Sequence, residues 1–189
     1  QKCGGCVFRH VSYDAELKLK RNIVKQAFSR IANMDIEIGE TVFSNPALYR
    51  NKVQYPFAKD KDGKCIFGYY ARRSHRIVEH DSCPLQDKIF SEIASFCAKT
   101  SDFLGISAYD EQTGNGILRH IVMRKNRVGE ILVTLVVFKE DRNIKALADR
   151  IFDKFESVVG IHINLNKKRD NVIFGDKTKK VVGLDTLND

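Results

Sequence analysis

Cys3 and Cys6 are separated by two glycines, and this Cys3-Gly4-Gly5-Cys6 unit is the part of the sequence best equipped for chemistry. Two thiols on a turn whose glycines accept unusual backbone angles can present both sulfurs to one metal ion or cluster. A thioredoxin-type redox pair would need a preceding strand and a helix starting at the first cysteine, and Gly-Gly is a poor helix start. Cys83 follows at a distance, in His80-Asp81-Ser82-Cys83-Pro84-Leu85, where the proline fixes the backbone just after the thiol. It is the candidate third ligand. Structural zinc takes four Cys/His ligands and iron–sulfur clusters are typically held by four cysteines, so three thiolates leave the site one short. His10 or His80 could complete a zinc site, or a fourth cysteine could lie upstream of Gln1; three unrelated free thiols are the remaining alternative. Cys97 falls on the apolar stripe of a helix and reads as a packed small hydrophobe.

The second chemistry is ionic. Arg50 and Lys52 share one face of a strand, Arg72, Arg73 and Arg76 follow the pair Tyr69-Tyr70, and Arg119, Arg124, Lys125 and Arg127 surround a hairpin. Lys167, Lys168 and Arg169 make a fourth cluster. Each alone is ordinary solvated surface, whereas together they suit a polyanion. His75, His120 and His162 lie in strand-like segments without a recognised partner and read as structural.

These residues need elements that hold them. Ser12 can cap a helix near Ser12 to Ala32, in which Leu17, Val24, Phe28 and Ile31 recur at helical spacing between Lys18, Lys20, Arg21 and Lys25. From Tyr49 the period becomes two, with Tyr49, Asn51, Val53, Tyr55 and Phe57 on one face and Arg50, Lys52 and Gln54 on the other. Lys59-Asp60-Lys61-Asp62-Gly63 is a polar turn, Cys65 to Ala71 returns as a second strand, and Arg76 to Glu79 offers a third. Gln86 to Lys99 is helical, Gly116 to Asn126 and Glu130 to Phe138 form another hairpin, Asn143 to Glu156 a helix and Val158 to Leu165 a strand. Strand pairs alternating with helices predict an α+β fold, an antiparallel sheet of hairpins packed with helices.

The composition sets outer bounds. The chain has 189 residues, 43% hydrophobic, with 12 Phe and 6 Tyr, enough to fill a core, and a net charge of +8. No apolar run reaches the ~18 residues of a membrane span, and five cysteines, an odd number, fit a reducing compartment, so a cytoplasmic location is expected. A Cys-x-x-Cys almost at the start and an apolar pattern opening at Gly183 suggest an excised piece of a larger protein.

In order along the chain stand Cys3-Gly4-Gly5-Cys6, Tyr49-Arg50-Asn51-Lys52-Val53, Gly68-Tyr69-Tyr70, Ser74-His75-Arg76-Ile77-Val78 and Cys83-Pro84-Leu85. Arg119-His120-Ile121-Val122-Met123-Arg124 and Ile163-Asn164-Leu165-Asn166 follow. Together, over nearly the whole chain, they resemble the RumA-type 23S ribosomal RNA (uracil-5-)-methyltransferases. The resemblance implies a three-part protein: an N-terminal TRAM barrel, a central domain with a [4Fe–4S] cluster, and a C-terminal Rossmann-like domain that binds S-adenosylmethionine. This chain corresponds to the middle. The family pattern Cys-x5-Cys-Gly-x-Cys with a distant cysteine carries over onto Cys3, Cys6 and Cys83, and its first cysteine would fall upstream of this sequence.

The same resemblance divides the chain into a cluster-binding segment at 1–11, an amphipathic helix and linker at 12–48 that pack on the catalytic domain, a central RNA-binding domain at 49–185, and the start of the methyltransferase domain at 186–189. It implies attack of a cysteine thiolate on C6 of a uracil in 23S ribosomal RNA, methylation at C5 and removal of the C5 proton by a carboxylate. No cysteine here matches that nucleophile, so the fragment alone is expected to be inactive, monomeric in the full-length protein and open to self-association by itself. With a family of RNA enzymes in view, Arg50, Lys52, Arg72, Arg73, Arg76, Arg119, Arg124, Lys125 and Arg127 become the candidate RNA contacts. The alternative is a non-catalytic zinc or Fe–S module that binds RNA or senses redox state.

Overall fold

A computed structural model describes residues 3–188; Gln1, Lys2 and Asp189, the outer ends of the expected segments 1–11 and 186–189, lie outside them. Alternation of apolar and polar residues builds β1 (Lys52–Lys59), with Val53, Tyr55 and Phe57 buried on one face. The second hairpin forms as β5 (Leu118–Lys125) and β6 (Ile131–Val137), and β7 (Val158–Leu165) has the expected bounds. With β2 (Cys65–Phe67) and β8 (Lys177–Gly183) they make a six-stranded sheet in the order β2-β1-β5-β6-β7-β8.

The α+β class is as expected, and four of the five strand pairings are antiparallel. The exception is β6 with β7, which run parallel. The chain between them is occupied by α3 (Arg142–Lys154), and a crossover helix returns the chain to the same end of the sheet, where a tight turn would reverse it. The sheet is therefore mixed rather than purely antiparallel. β8 was not foreseen, because KTKKVVG has no apolar alternation; it is a largely exposed edge, and its lysines discourage pairing with another chain.

The expected strand from Cys65 to Ala71 is broken at Gly68. A Cβ there would collide with the Val78 carbonyl, so the chain leaves β1 at this glycine. It then pairs as β3 (Tyr69–Tyr70) with β4 (Ile77–Val78) in a separate two-stranded sheet.

α2 (Lys88–Phe103) and α3 begin at Asp87 and Asp141, whose carboxylates accept from the N–H groups of Ile89 and Asn143. Phe90, Ile93, Ala94 and Cys97 of α2 and Ile144, Leu147 and Ile151 of α3 cover Tyr55, Ile121, Met123 and Leu135. Cys97 is fully buried, as its stripe position predicts.

α1 (Tyr13–Gln26) differs from the other helices. Ser12 caps it, accepting from Ala15 N–H at 3.3 Å, and a π turn over Ala27–Ile31 extends it, but it buries no residue. Ile23 and Val24 are exposed by 56% and 44%, and Ile31 by 86%. Segment 36–44 lies along it through Thr41 Oγ1 donating to Leu17 O, Arg21 to Ile38 O and Ser44 N–H to Tyr13 Oη. No helix among the described residues is long and apolar enough to cross a membrane.

Candidate metal centre and nucleic-acid interface

The Cys3–Cys6 turn is fastened to β3. Cys3 forms an antiparallel bridge with Ala71, and Gly4 N–H donates to Tyr70 O at 2.9 Å. A Cβ on Gly4 would stand 3.1 Å from Tyr70 O and 3.3 Å from the Arg72 backbone, so the approach requires a glycine. Gly5 N–H points at Cys3 Sγ, 3.3 Å away, the donor that a thiolate accepts. Cys83 follows five residues beyond Val78, the end of β4. All three thiols are unpaired and partly buried.

Thiols are the donor type of a thiolate metal site or iron–sulfur cluster. Among the described residues, no three His, Cys, Asp or Glu side chains converge on one point, so Cys3, Cys6 and Cys83 share no common site. Both ring nitrogens of His80 are buried without a hydrogen-bond partner, in a box of Tyr55, Phe67 and Tyr69 whose centroids are 5.4, 6.1 and 5.2 Å away. Burial pushes the His80 imidazole below its ordinary pKa, so the ring is neutral and a potential ligand or donor. His10 is exposed. Cys65 and Cys97 are core thiols; burial raises Cys65 to about 12 and pushes Cys97 well above the ordinary thiol range, which makes both inert.

The basic residues gather in two places. At the tip of the β3–β4 hairpin, Arg72, Arg73 and Arg76 are exposed, and no described carboxylate pairs with them. Arg73 adopts φ +57, and Ala71 N–H to Arg76 O at 2.8 Å closes the turn. Tyr70 stacks on His75 at 5.0 Å, and His75 Nδ1 meets Glu111 Oε2. Tyr69 turns inward, its hydroxyl donating to Gln86 Oε1 at 2.6 Å. Of the tyrosine pair, one therefore packs and the other lies on the half-exposed edge.

The second place is a cleft lined by Tyr49, Arg50, Asn51, Asp87, Lys125 and Arg127. Arg50 lies 5.9 Å from the centre of the Tyr69 ring, which links the cleft to the hairpin. Lys125 pairs with the capping Asp87, and Arg127 is exposed in the β5–β6 turn. Lys52 and Arg124 are register partners on neighbouring strands, a like-charge pair that an anion would relieve.

Arg119 belongs to neither place. A register shift between Leu118 and His120 buries it to 4% exposure, and its guanidinium donates to the carbonyls of Asn166 and Lys168 and lies 4.8 Å from the Tyr109 ring centre. It is a clasp on the 166–168 loop, which corrects its expected role as an RNA contact. Sequence reasoning also missed Glu111 as the partner of His75, because the two are far apart in the chain; Gly4-Gly5 was the one local sign that another backbone passes close.

No protein-family model matches the chain. Along its entire length it is 37% identical to an RNA methyltransferase of Clostridium tetani, of which it spans 41%. It is 39% identical to RNA methyltransferases of Listeria monocytogenes and Halalkalibacterium halodurans, of each of which it spans 42%. The chain belongs to this RNA methyltransferase family. It spans about two fifths of the length of the curated relatives it matches. The family resemblance read from the cysteine and aromatic motifs is borne out. The fold is shared with the Pyrococcus abyssi tRNA (uracil-54, C5)-methyltransferase, crystallised with S-adenosyl-L-homocysteine, at a TM-score of 0.68 and 24% identity over 95% of this chain and 41% of that one.

Proposed function

We propose that the chain is the central, RNA-binding part of an S-adenosylmethionine-dependent enzyme that methylates C5 of a uridine in 23S ribosomal RNA. The observation that carries this reading is the identity to RNA methyltransferases along the whole chain. Cys3, Cys6 and Cys83, with one further cysteine, hold a [4Fe–4S] cluster whose work is structural, tying the start of the chain to the segment after β4. Arg50, Lys52, Arg72, Arg73, Arg76, Arg124, Lys125 and Arg127 contact the RNA. The nucleophilic cysteine, the base and the S-adenosylmethionine site lie in other parts of the enzyme, so residues 1–189 alone do not transfer methyl groups.

The test is made on the full-length protein purified without oxygen. About four irons and four sulfides per chain are expected, lost on Cys83→Ser, with transfer of labelled methyl from S-adenosylmethionine to 23S ribosomal RNA as 5-methyluridine. One zinc without sulfide, and no methyl transfer, would replace this reading with a non-catalytic RNA-binding module.

A further inference from the structure

β7 and β8 pair antiparallel, yet the eleven residues 166–176 join them where a hairpin needs about two to five. None of the eleven belongs to the hydrophobic core, and what holds the loop is polar. Asn166, fully buried, donates to the carbonyls of Val172 and Ile173 at 2.7 and 2.9 Å and accepts from Lys168 N–H at 3.0 Å. Asn164, also buried, donates to Gly175 O at 3.0 Å and Thr178 Oγ1 at 2.7 Å, and accepts from Gly175 N–H at 2.7 Å. A buried polar network with its partners in place holds one conformation. The two asparagines grip both limbs of the loop, so these bonds remain when the Arg119 clasp is removed.

The loop held in this way carries charge. Lys167, Lys168, Arg169 and Lys177 are exposed, and the three lysines line a hollow of about 210 Å³ together with Asn166 and Gly175. Asp176 is the carboxylate on that hollow and pairs with Lys168 at 3.0 Å, while no described carboxylate pairs with Lys167 or Lys177. Three ammonium groups against one carboxylate leave an excess of positive charge that an anion would relieve. The Arg169 guanidinium lies over Gly114, and Glu111 of the same turn meets His75 of the β3–β4 hairpin. Asp110, the other carboxylate of that turn, accepts from Gln112 and Thr113 N–H. The loop and the arginine tip therefore flank one turn.

We infer that loop 166–177 is a further phosphate-binding site, at which Lys167, Lys168 and Lys177 take neighbouring backbone phosphates of the RNA that Arg72, Arg73 and Arg76 contact. The inference rests on the RNA partner proposed above. Because the asparagines have already ordered the backbone, little ordering cost is left for binding, and a contact to phosphates carries no base preference. Asp176 competes with the phosphate for Lys168.

The experiment uses the full-length protein and a fluorescein-labelled oligouridylate, bound across a salt series at neutral pH. The double variant Lys167→Ala, Lys177→Ala should bind more weakly and flatten the slope of log K against log salt by about 1.4, two contacts of ~0.7 each. Asp176→Asn frees Lys168, so it should bind more tightly and steepen the slope by about 0.7. The Lys167 and Lys177 side chains bond to no described residue, so the double variant should keep the urea midpoint of the unaltered protein. Inorganic phosphate at constant ionic strength should displace the RNA no better from the unaltered protein than from the double variant. A slope unaltered in either variant, a lowered urea midpoint in the double variant, or selective displacement by inorganic phosphate would each overturn the inference and leave the proposed function standing. A full-length protein that binds no oligouridylate removes both together.

Discussion

His120 and Arg119 are neighbours on β5 with opposite lessons about charge. Burial, reinforced by the Arg119 guanidinium, pushes the His120 imidazole down to about 4. Between the ordinary histidine pKa of ~6.5 and 4 the unfolded chain binds the proton and the folded one does not, so this contribution to stability is complete above pH 6.5 and is lost as pH falls toward 4. A histidine NMR titration should place the His120 midpoint below pH 5, and a midpoint near 6.5 would show the ring to be solvated. Arg119 is held by the carbonyls of Asn166 and Lys168 and by the face of the Tyr109 ring. Arg119→Ala should cost about 2–3 kcal/mol in urea unfolding, since two charge-assisted hydrogen bonds go and two carbonyls lose their donor. The loss should be felt as stability, with the RNA salt slope unchanged. From the sequence Arg119 was indistinguishable from Arg124. Only the register shift beside it, a product of β5 pairing with β6, sends one inward and leaves the other exposed.

At the scale of elements, caps and glycines decide more than propensity does. Asp87 ends the approach to α2, accepts from Ile89 N–H and pairs with Lys125 across from β5. Its hydrogen bond to Lys125 lowers its pKa, so the stabilisation is present at neutral pH and is lost as pH falls through the folded-state value. Asp87→Ala should lower stability by about 1 kcal/mol, and Asp87→Asn should restore most of the cap without the ion pair. Gly160 lets β7 pass under the Leu184 carbonyl, where a Cβ would collide with it. Gly160→Ala should therefore lower the thermal midpoint and detach the end of β8, seen as rapid exchange of the Leu184 amide, which donates to Val159 O at 2.8 Å. The strands with apolar alternation were legible in the sequence at nearly their observed limits. β8 was not, because an edge strand is held by its backbone pairing with β7 and needs no buried side chains.

The whole molecule divides unevenly between a packed sheet with two helices and an arm with almost no core. α1 and the segment to Leu48 expose Leu19, Ile23, Val24, Ile31, Met34, Val42 and Phe43. Exposed large apolar side chains in this number on one arm call for a partner. In the proposed enzyme that partner is the catalytic part of the same polypeptide. Residues 1–189 expressed alone should show fast amide exchange throughout α1 and slow exchange in β5, β6 and β7. In the full-length protein the α1 amides should become protected; equal exchange in both would mean that the arm docks on nothing in its own chain.

The amino-acid sequence by itself determined the fold class, the core-facing residues of β1, α2 and α3, the cysteine turn and the basic character, because periodicity, composition and glycine pairs are local and survive in any context. It also carried the family, through the order of its motifs. Tertiary structure alone decided which arginines face outward, that β6 and β7 run parallel, that Gly68 splits one expected strand into two sheets, and that the cysteine turn lies against the arginine hairpin. Each of these depends on contacts between residues far apart in the chain, and such contacts are set by how the elements pack against one another.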